Sequence, residues 1–156
     1  MQTDEYGQMF EHEDRYWWFV ARRKLALTLL QDALGSQNIA GNLVDLGCGT
    51  GAALADLSAM GTATGVDFSS LALEFSQKRG LKRLVLGDGQ NIPLQSESVK
   101  GMISLDIFEH IPDDIAAFRE SFRILEPGGV LVLSVPAFQW LWGPHDVALM
   151  HFRRYT

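Results

Sequence analysis

The stretch LVDLGCGTG, residues 43–51, decides the fold. Its first four residues are apolar except for Asp45, and they predict a short buried strand. The alternating glycines Gly47, Gly49 and Gly51 predict a tight turn, because glycine adopts a positive φ and lets the backbone approach a ligand closely. A helix beginning beyond Gly51 points its free N–H groups and positive dipole end at the turn. Alone, the turn is also compatible with a purely structural connection between strand and helix.

The same alternation of strand and helix continues along the chain. Further strands are predicted at residues 62–66, 84–86, 99–105 and 130–135, with helices at 16–34, 52–60, 69–79 and 112–125. Strands and helices that alternate at this spacing predict an α/β fold, a doubly wound Rossmann-like layer structure with a mostly parallel sheet.

One domain is expected to cover all 156 residues. It comprises an N-terminal helical segment at about 14–35, a core at about 40–136 and a C-terminal loop region at 137–156. The polar leader before the first helix is expected to be frayed or to act as a lid.

Acidic residues follow two of the predicted strands. Ligands of an open parallel sheet bind outside the carboxyl ends of its strands. Asp67 ends the second strand, where its carboxylate is placed to accept hydrogen bonds from the two hydroxyls of a ribose. Phe68 is suited to pack on an adenine face. Asp88 follows the third strand, where it either accepts a hydrogen bond from an exocyclic amine or only shapes an Asp-Gly turn.

The glycine spacing separates two classes of ligand. Dinucleotide enzymes carry G-x-G-x-x-G, whereas this turn reads G-x-G-x-G. Asp45, just before the turn, would repel a pyrophosphate but suits a ligand that carries a cation. S-adenosylmethionine brings an ammonium, a sulfonium and no phosphate, so the pattern favours it. An NAD-dependent dehydrogenase is the disfavoured alternative.

Four motifs together resemble those of class I S-adenosylmethionine-dependent methyltransferases. They are VDLGCGTG at 44–51, GVDFS at 65–69, GDGQNIPL at 87–94 and LEPGG at 125–129. The resemblance implies that the loop glycines face the methionine end of the cofactor, that Asp45 supports its ammonium and that Leu105 lines the cleft. The cofactor contacts expected from it are Asp45, Gly47, Cys48, Gly49, Gly51, Asp67, Phe68, Asp88, Gly89 and Leu105. The family fold has seven strands, and we expect this chain to lack the last ones and to expose a sheet edge that makes a homodimer plausible.

Two aromatic stretches resemble a narrower bacterial subgroup, often found beside surface-polysaccharide or glycosyl-transfer enzymes. They are YWWF at 16–19, followed by Arg22 and Arg23, and PAFQWLW at 136–142, which runs on to HFRRYT at 151–156. The resemblance implies a small-molecule or glycan-intermediate acceptor. Its expected contacts are Trp17, Trp18, Arg22, Trp140 and Trp142, although core packing or a solvated helix face would also explain them.

Methyl transfer to oxygen benefits from a general base with a pKa near neutrality, which histidine provides. His145 and His110 are the leading catalytic candidates, and His151 is a weaker one. No metal is expected in the leading interpretation. As an alternative, Asp106-x-x-Glu109-His110 resembles the E-x-x-E-H element of metal-dependent O-methyltransferases.

Composition narrows the remaining possibilities. A formal net charge of -6 argues against a general nucleic-acid binder. A single cysteine, Cys48, favours a reducing compartment, and the cytoplasm is expected. Neither a signal peptide nor an apolar run of about 18 residues is apparent. Beside methyl transfer, a non-catalytic S-adenosylmethionine-binding partner or sensor domain stays open as an alternative function.

Overall fold

A five-stranded parallel sheet forms the centre of the computed structural model, which describes residues 3–35 and 39–156. The strands are β1 (Asn42–Leu46), β2 (Thr62–Asp67), β3 (Leu84–Leu86), β4 (Val99–Leu105) and β5 (Leu125–Ser134). Their order is β3-β2-β1-β4-β5, and every pair is parallel. The order reverses between β1 and β4, which is where a ligand crevice opens in this class of sheet. The predicted Rossmann-like architecture is confirmed.

Helices flank the sheet. They are α1 (Thr3–His12), α2 (Trp17–Leu34), α3 (Ala52–Ser58), α4 (Ser70–Lys78), α5 (Asp114–Ile124) and α6 (Pro144–Ala148), with 3₁₀ turns at Phe108–His110 and Gln139–Leu141. The predicted start of α4 is confirmed, because the Ser69 hydroxyl accepts a hydrogen bond from Ala72 N at 3.3 Å. None of the described helices has the length and apolarity needed to cross a membrane.

The core divides into two clusters, one on each face of the sheet. Successive residues of a strand point to opposite faces, so Leu43 joins one cluster and Val44 the other. The first cluster packs β1 against α2 and α3 through Leu30 and Leu54, and the second packs it against α5 through Ile124. All five side chains are almost fully buried. This two-sided burial explains the apolar character of the strands.

The structure differs from the sequence-based expectation at three places. The N-terminal leader is a helix, α1, which packs on α4 with the Phe10 and Phe75 rings 5.3 Å apart. Strand β5 begins at Leu125 and not at the predicted residue 130. Leu125 pairs with Val99 of β4, and after a register shift Val130 pairs with Gly101. The C-terminal region, expected as a loop, contains α6 and a 3₁₀ turn.

Gly51 offers a test of the packing beneath the turn. Gly51 and Gly80 have φ of 94° and 86°, but only a Cβ at Gly51 would meet other atoms, at 2.6 Å from Ser76 Oγ and 2.7 Å from Leu81 Cδ1. Gly80→Ala should therefore lower the free energy of unfolding by roughly 1–2 kcal/mol through backbone strain alone. Gly51→Ala should cost about 1–3 kcal/mol more, because it also overpacks the core. Urea denaturation measures both, and equal losses would contradict this account.

Candidate functional site

Asp67 ties the end of β2 to the glycine turn. Its Oδ2 accepts a hydrogen bond from Gly49 N and its Oδ1 accepts one from Ser69 N, both at 2.9 Å. Burial raises the pKa of this carboxyl, while the hydrogen bonds from Ser69 and Gly49 lower it in part. Gly49 has a φ of 54°, so glycine suits the turn at the point where its amide faces the acid.

Asp45 is the second acid of the site, and one of its two carboxyl oxygens lacks a partner among the described residues. It is 2% exposed, and its Oδ2 accepts no hydrogen bond within the described part of the chain. Burial raises its pKa to about 8, aided by the charges of Asp67 and Glu13 and opposed by that of Arg22. A buried acceptor without a partner costs on the order of 1–3 kcal/mol, so this carboxyl is suited to a cationic or hydrogen-bond-donating ligand.

A small cavity of about 40 Å³ lies beside Asp45. The sheet side of its wall includes Gly47, Cys48 and Leu105, three of the residues predicted to contact a cofactor. The opposite wall comes from α1, α2 and the turn between them, through Met9, Glu13, Phe19, Arg22 and Arg23. The cavity is thus a strand-end pocket partly filled by the N-terminal helices. A wider hollow of about 350 Å³ at the amino ends of the strands is lined by residues 39–40 and 58–61 and carries no titratable side chain.

The N-terminal segment is latched over the glycine turn. Glu13 is buried and accepts hydrogen bonds from Thr50 Oγ1 and, at 2.6 Å, from Arg79 Nη2. Arg79 also pairs with Asp14 at 2.7 Å and donates from Nε to Thr50 O at 2.7 Å. Its guanidinium lies 4.6 Å from the centre of the Phe10 ring. These contacts hold α1 against the loop, as a lid would be held.

Beyond β4 the chain carries two more acids. Asp106 has a φ of 56°, accepts a hydrogen bond from Ser134 Oγ at 2.7 Å and forms an ion pair with Arg22. Glu109 is 1% exposed, and its Oε2 has no partner among the described residues. Burial raises the pKa of Glu109 to about 7, against the opposing charge of Arg22. Two unpartnered carboxyl oxygens, on Asp45 and Glu109, therefore lie near the same arginine.

The C-terminal segment adds a histidine to this end of the sheet. Phe152 N donates to Glu109 O at 2.7 Å, which brings His151 beside His110 with perpendicular rings 4.6 Å apart. His151 Nδ1 lies 3.0 Å from Oδ1 of Asp146, a fully buried acid. Asp146 also accepts from Arg154 Nε at 2.8 Å, and this arginine, the Gly143 amide and His151 hold its pKa well below the usual range.

Other predicted site residues lie apart from the groups around Asp45 and Glu109. Phe68 is 75% exposed, and Trp17, Trp18, Trp140 and Trp142 are also exposed, so core packing does not explain them.

Asp88 is exposed and accepts a hydrogen bond from Gln90 N at 2.9 Å. This contact is the one expected if Asp88 only shapes the Asp-Gly turn. His145 is exposed on α6 and is not in the Glu109, His110 and His151 group. A contact of any of these residues with a ligand stays a prediction.

Sequence reasoning missed Glu13, Arg79 and Asp146 and gave little weight to His151. Asp146 contacts Gly143, His151 and Arg154 within eight residues of itself, but Glu13 and Arg79 act through each other across 66 residues of chain. No local pattern marks such pairs.

Comparison with known proteins places these motifs in a family. Residues 44–133 match the family described as "Methyltransferase domain". The chain is 33% identical over 100 residues to a probable tRNA methyltransferase 9B of Homo sapiens, covering 62% of this chain and 22% of that protein. It is 32% identical over 113 residues to demethylmenaquinone methyltransferase of Staphylococcus aureus, covering 64% and 47%. The chain thus spans less than half the length of these relatives.

Solved structures share the fold. Streptomyces venezuelae DesVI superposes with a TM-score of 0.75 at 21% identity, covering 92% of this chain and 61% of that one. Geranyl diphosphate C-methyltransferase from Streptomyces coelicolor, solved with Mg²⁺, geranyl diphosphate and S-adenosyl-L-homocysteine, gives 0.69 at 20% identity, covering 85% and 56%.

The contacts that hold α1 against the glycine turn depend on Arg79. Arg79→Met removes the contacts to Glu13, Asp14 and Thr50, so hydrogen exchange of the α1 amides should accelerate by at least tenfold. Lys78→Met, one residue away, is the control, because the Lys78 ammonium contacts only the Phe75 ring of its own helix among the described contacts. Exchange measured by mass spectrometry tests this, and unchanged protection of α1 in Arg79→Met would contradict the latch.

Proposed function

The chain belongs to the family of methyltransferase domains, and from that premise we propose that it transfers the sulfonium methyl group of S-adenosylmethionine to an oxygen atom of a small-molecule or glycan-related acceptor. The observation that carries the proposal is the buried carboxyl of Asp45 beside the glycine turn, whose Oδ2 has no hydrogen-bond partner among the described residues. A cofactor with an ammonium and no phosphate fits that carboxyl. A dinucleotide does not, because its pyrophosphate would meet the acid.

The cofactor residues follow from the strand ends. Asp45 would hold the ammonium, Asp67 the ribose hydroxyls, and the loop residues Gly47, Cys48, Gly49 and Gly51 the methionine end. Phe68, Asp88 and Gly89 would border the adenine, and Leu105 would line the cleft. When bound, the cofactor supplies an electrophilic methyl group on a good leaving group, so much of the rate acceleration comes from aligning the reactants.

Entry of the cofactor requires movement of α1. A Cβ placed on Gly49 would lie 3.4 Å from Met9 Cε, so α1 occupies the space directly above the turn. Asp67 is buried with both of its oxygens engaged by backbone amides. The latch formed by Arg79 would open and then close over the bound cofactor, which excludes water from the sulfonium.

The acceptor oxygen would bind and lose its proton in the segment beyond β4. Glu109, His110 and His151 lie together there, with ligand-type atoms within 4.8 Å of one another. A hydroxyl acceptor loses its proton as the new C–O bond forms, and titratable groups at this position suit that step. His110 and His151 therefore become the favoured catalytic histidines, and His145 stays a candidate only if α6 moves.

The acceptor itself would be recognised by exposed aromatic rings. Trp17 and Trp18 lie at the start of α2, and Trp140 and Trp142 lie in the segment after β5. Exposed tryptophan faces stack on sugars or apolar groups. Arg22 keeps an Nε donor without a partner in the described chain, which suits an anionic group of the acceptor. These features support a glycan-related acceptor. The cytoplasm as its location and self-association through β5 are further proposals.

Turnover tests the proposal. The protein is incubated with S-adenosylmethionine carrying a trideuterated methyl group and with a panel of sugar nucleotides, glycan fragments and phenols, and products are analysed by mass spectrometry. A labelled methyl ether in one acceptor class is the expected result. Cofactor binding without methylation of any acceptor would instead favour a partner or sensor domain, and a product methylated at carbon or nitrogen would overturn the choice of oxygen.

The raised pKa of Asp45 makes cofactor binding depend on pH. With a pKa of about 8 the carboxyl is protonated at pH 7, and an ammonium at its side favours the ionised form. Binding at pH 7 should therefore release close to one proton, and affinity should rise up to about tenfold per pH unit until it levels above the pKa.

Calorimetry in buffers of different ionisation enthalpy measures the release. Asp45→Asn should abolish it, whereas Asp32→Asn, at an exposed position on α2, should leave it unchanged. If Asp45→Asn still released a proton on binding, another group would be its source and the prediction for Asp45 would be wrong.

A further inference from the structure

Glu109, His110 and His151 form a compact group of metal-binding side chains. Each residue offers one ligand atom, and the three atoms lie within 4.8 Å of one another. Two of the residues are neighbours on a 3₁₀ turn, and the third arrives from the C-terminal segment through the hydrogen bond between Phe152 N and Glu109 O. From this arrangement we infer that the group is a binding site for a divalent first-row transition-metal ion such as Zn²⁺ or Mn²⁺.

Glu109 supplies an oxygen that needs a partner. The residue is almost fully buried, and within residues 3–35 and 39–156 its Oε2 makes no hydrogen bond. Buried polar atoms in folded proteins are nearly always satisfied, so an exception of this kind calls for an explanation such as a bound ion. A cation between Glu109 and the two imidazoles would provide the missing partner.

The contact of Asp146 with His151 also supports a metal site. Asp146 forms an ion pair with Arg154 and accepts a hydrogen bond from the Gly143 amide, and the paired carboxylate accepts a further one from His151 Nδ1, 3.0 Å from its Oδ1. That bond fixes the tautomer of His151 with its lone pair on Nε2. Metal-binding histidines are commonly oriented by a carboxylate on their other nitrogen, and Asp146 takes that position.

The surrounding charges tolerate a cation. Arg22 is the arginine that opposes the charge of Glu109, but it is paired with Asp106. Arg154 is likewise paired with the buried Asp146. Each nearby arginine therefore has its own carboxylate, and Glu109 is left to offset the charge of an ion.

The donor set selects the type of ion. Two imidazoles and one carboxylate suit zinc and other transition metals, whereas Mg²⁺ and Ca²⁺ prefer oxygen ligands throughout. Ligand atoms about 2.0–2.2 Å from a zinc ion lie roughly 3.4 Å apart in tetrahedral geometry, so the three side chains have to close in by on the order of 1 Å. Three protein ligands leave a coordination position open for another oxygen.

The open position has a use that rests on the proposed function, with His110 and His151 then acting as metal ligands instead of as bases. A hydroxyl of the acceptor bound there would lose its proton to water more easily, because a bound cation lowers the pKa of a coordinated hydroxyl. The oxygen lone pair then forms the C–O bond while the C–S bond of the cofactor breaks. S-adenosylhomocysteine leaves as a neutral thioether, so charge and atoms balance.

Cobalt titration tests the site without any methyl transfer. Chelator-treated protein is titrated with Co²⁺, whose visible absorption reports nitrogen and oxygen ligation, and with Zn²⁺ by calorimetry. One ion per chain is expected. Glu109→Gln and His151→Ala should each weaken binding by at least tenfold, and Asp146→Asn by about 10–100-fold through loss of the orienting contact. His12→Ala, a substitution of an exposed histidine on α1, should leave binding unchanged.

Folding is checked by circular dichroism for every variant, and the nearly isosteric Glu109→Gln serves if another variant fails to fold. No stoichiometric binding by the wild-type chain, or equal binding by wild type and Glu109→Gln, would overturn the inference. Metal binding without methyl transfer would leave the site standing and count against the proposed function. Methyl transfer that persists without any metal binding would support the proposed function and overturn the metal site.

Discussion

Two hydrogen bonds from backbone amides to Asp67 set the geometry on which the ligand edge depends. They join the end of β2 to Gly49 of the turn and to Ser69 at the cap of α4, so one carboxylate positions a strand, a loop and a helix. The bonds stabilise the ionised acid against burial, which raises its pKa. Hydrogen bonds from Gly47 N and Cys48 N to Val66 O also join the turn to β2, and the Asp67 carboxylate adds the contact that fixes Gly49 next to the pocket beside Asp45.

Acidic side chains concentrate at this edge, most of them buried, and only some of them have a positively charged partner. Glu13 has the Arg79 guanidinium, Asp106 has Arg22, and Asp146 has Arg154. Asp45 and Glu109 each keep one oxygen unpartnered among the described residues. Such oxygens cost stability and persist where a ligand satisfies them, which is why one is assigned here to a cofactor ammonium and the other to a metal ion.

The fold could be predicted from sequence because its signals are local. The glycine turn at 47–51, the acid at Asp67 and the cap at Ser69 each depend on neighbours within a few residues, and each lies where expected. The covering elements could not be predicted, since α1 is held by Arg79 and the His151 segment by Glu109, both distant in the chain. For the same reason His145 looked as suitable as His110 in the sequence, whereas the structure groups His110 with His151 instead.

Calorimetric titration with S-adenosylhomocysteine tests the central claim, that the strand-end acids and the glycine turn form a cofactor site. The wild-type chain should bind one molecule with micromolar affinity, and Asp67→Ala should lose that binding while Asp32→Ala, altered at an exposed position, keeps it. Thermal melts establish that each variant is folded. Absence of binding by the folded wild-type chain, or binding by a folded Asp67→Ala variant at wild-type affinity, would contradict the account.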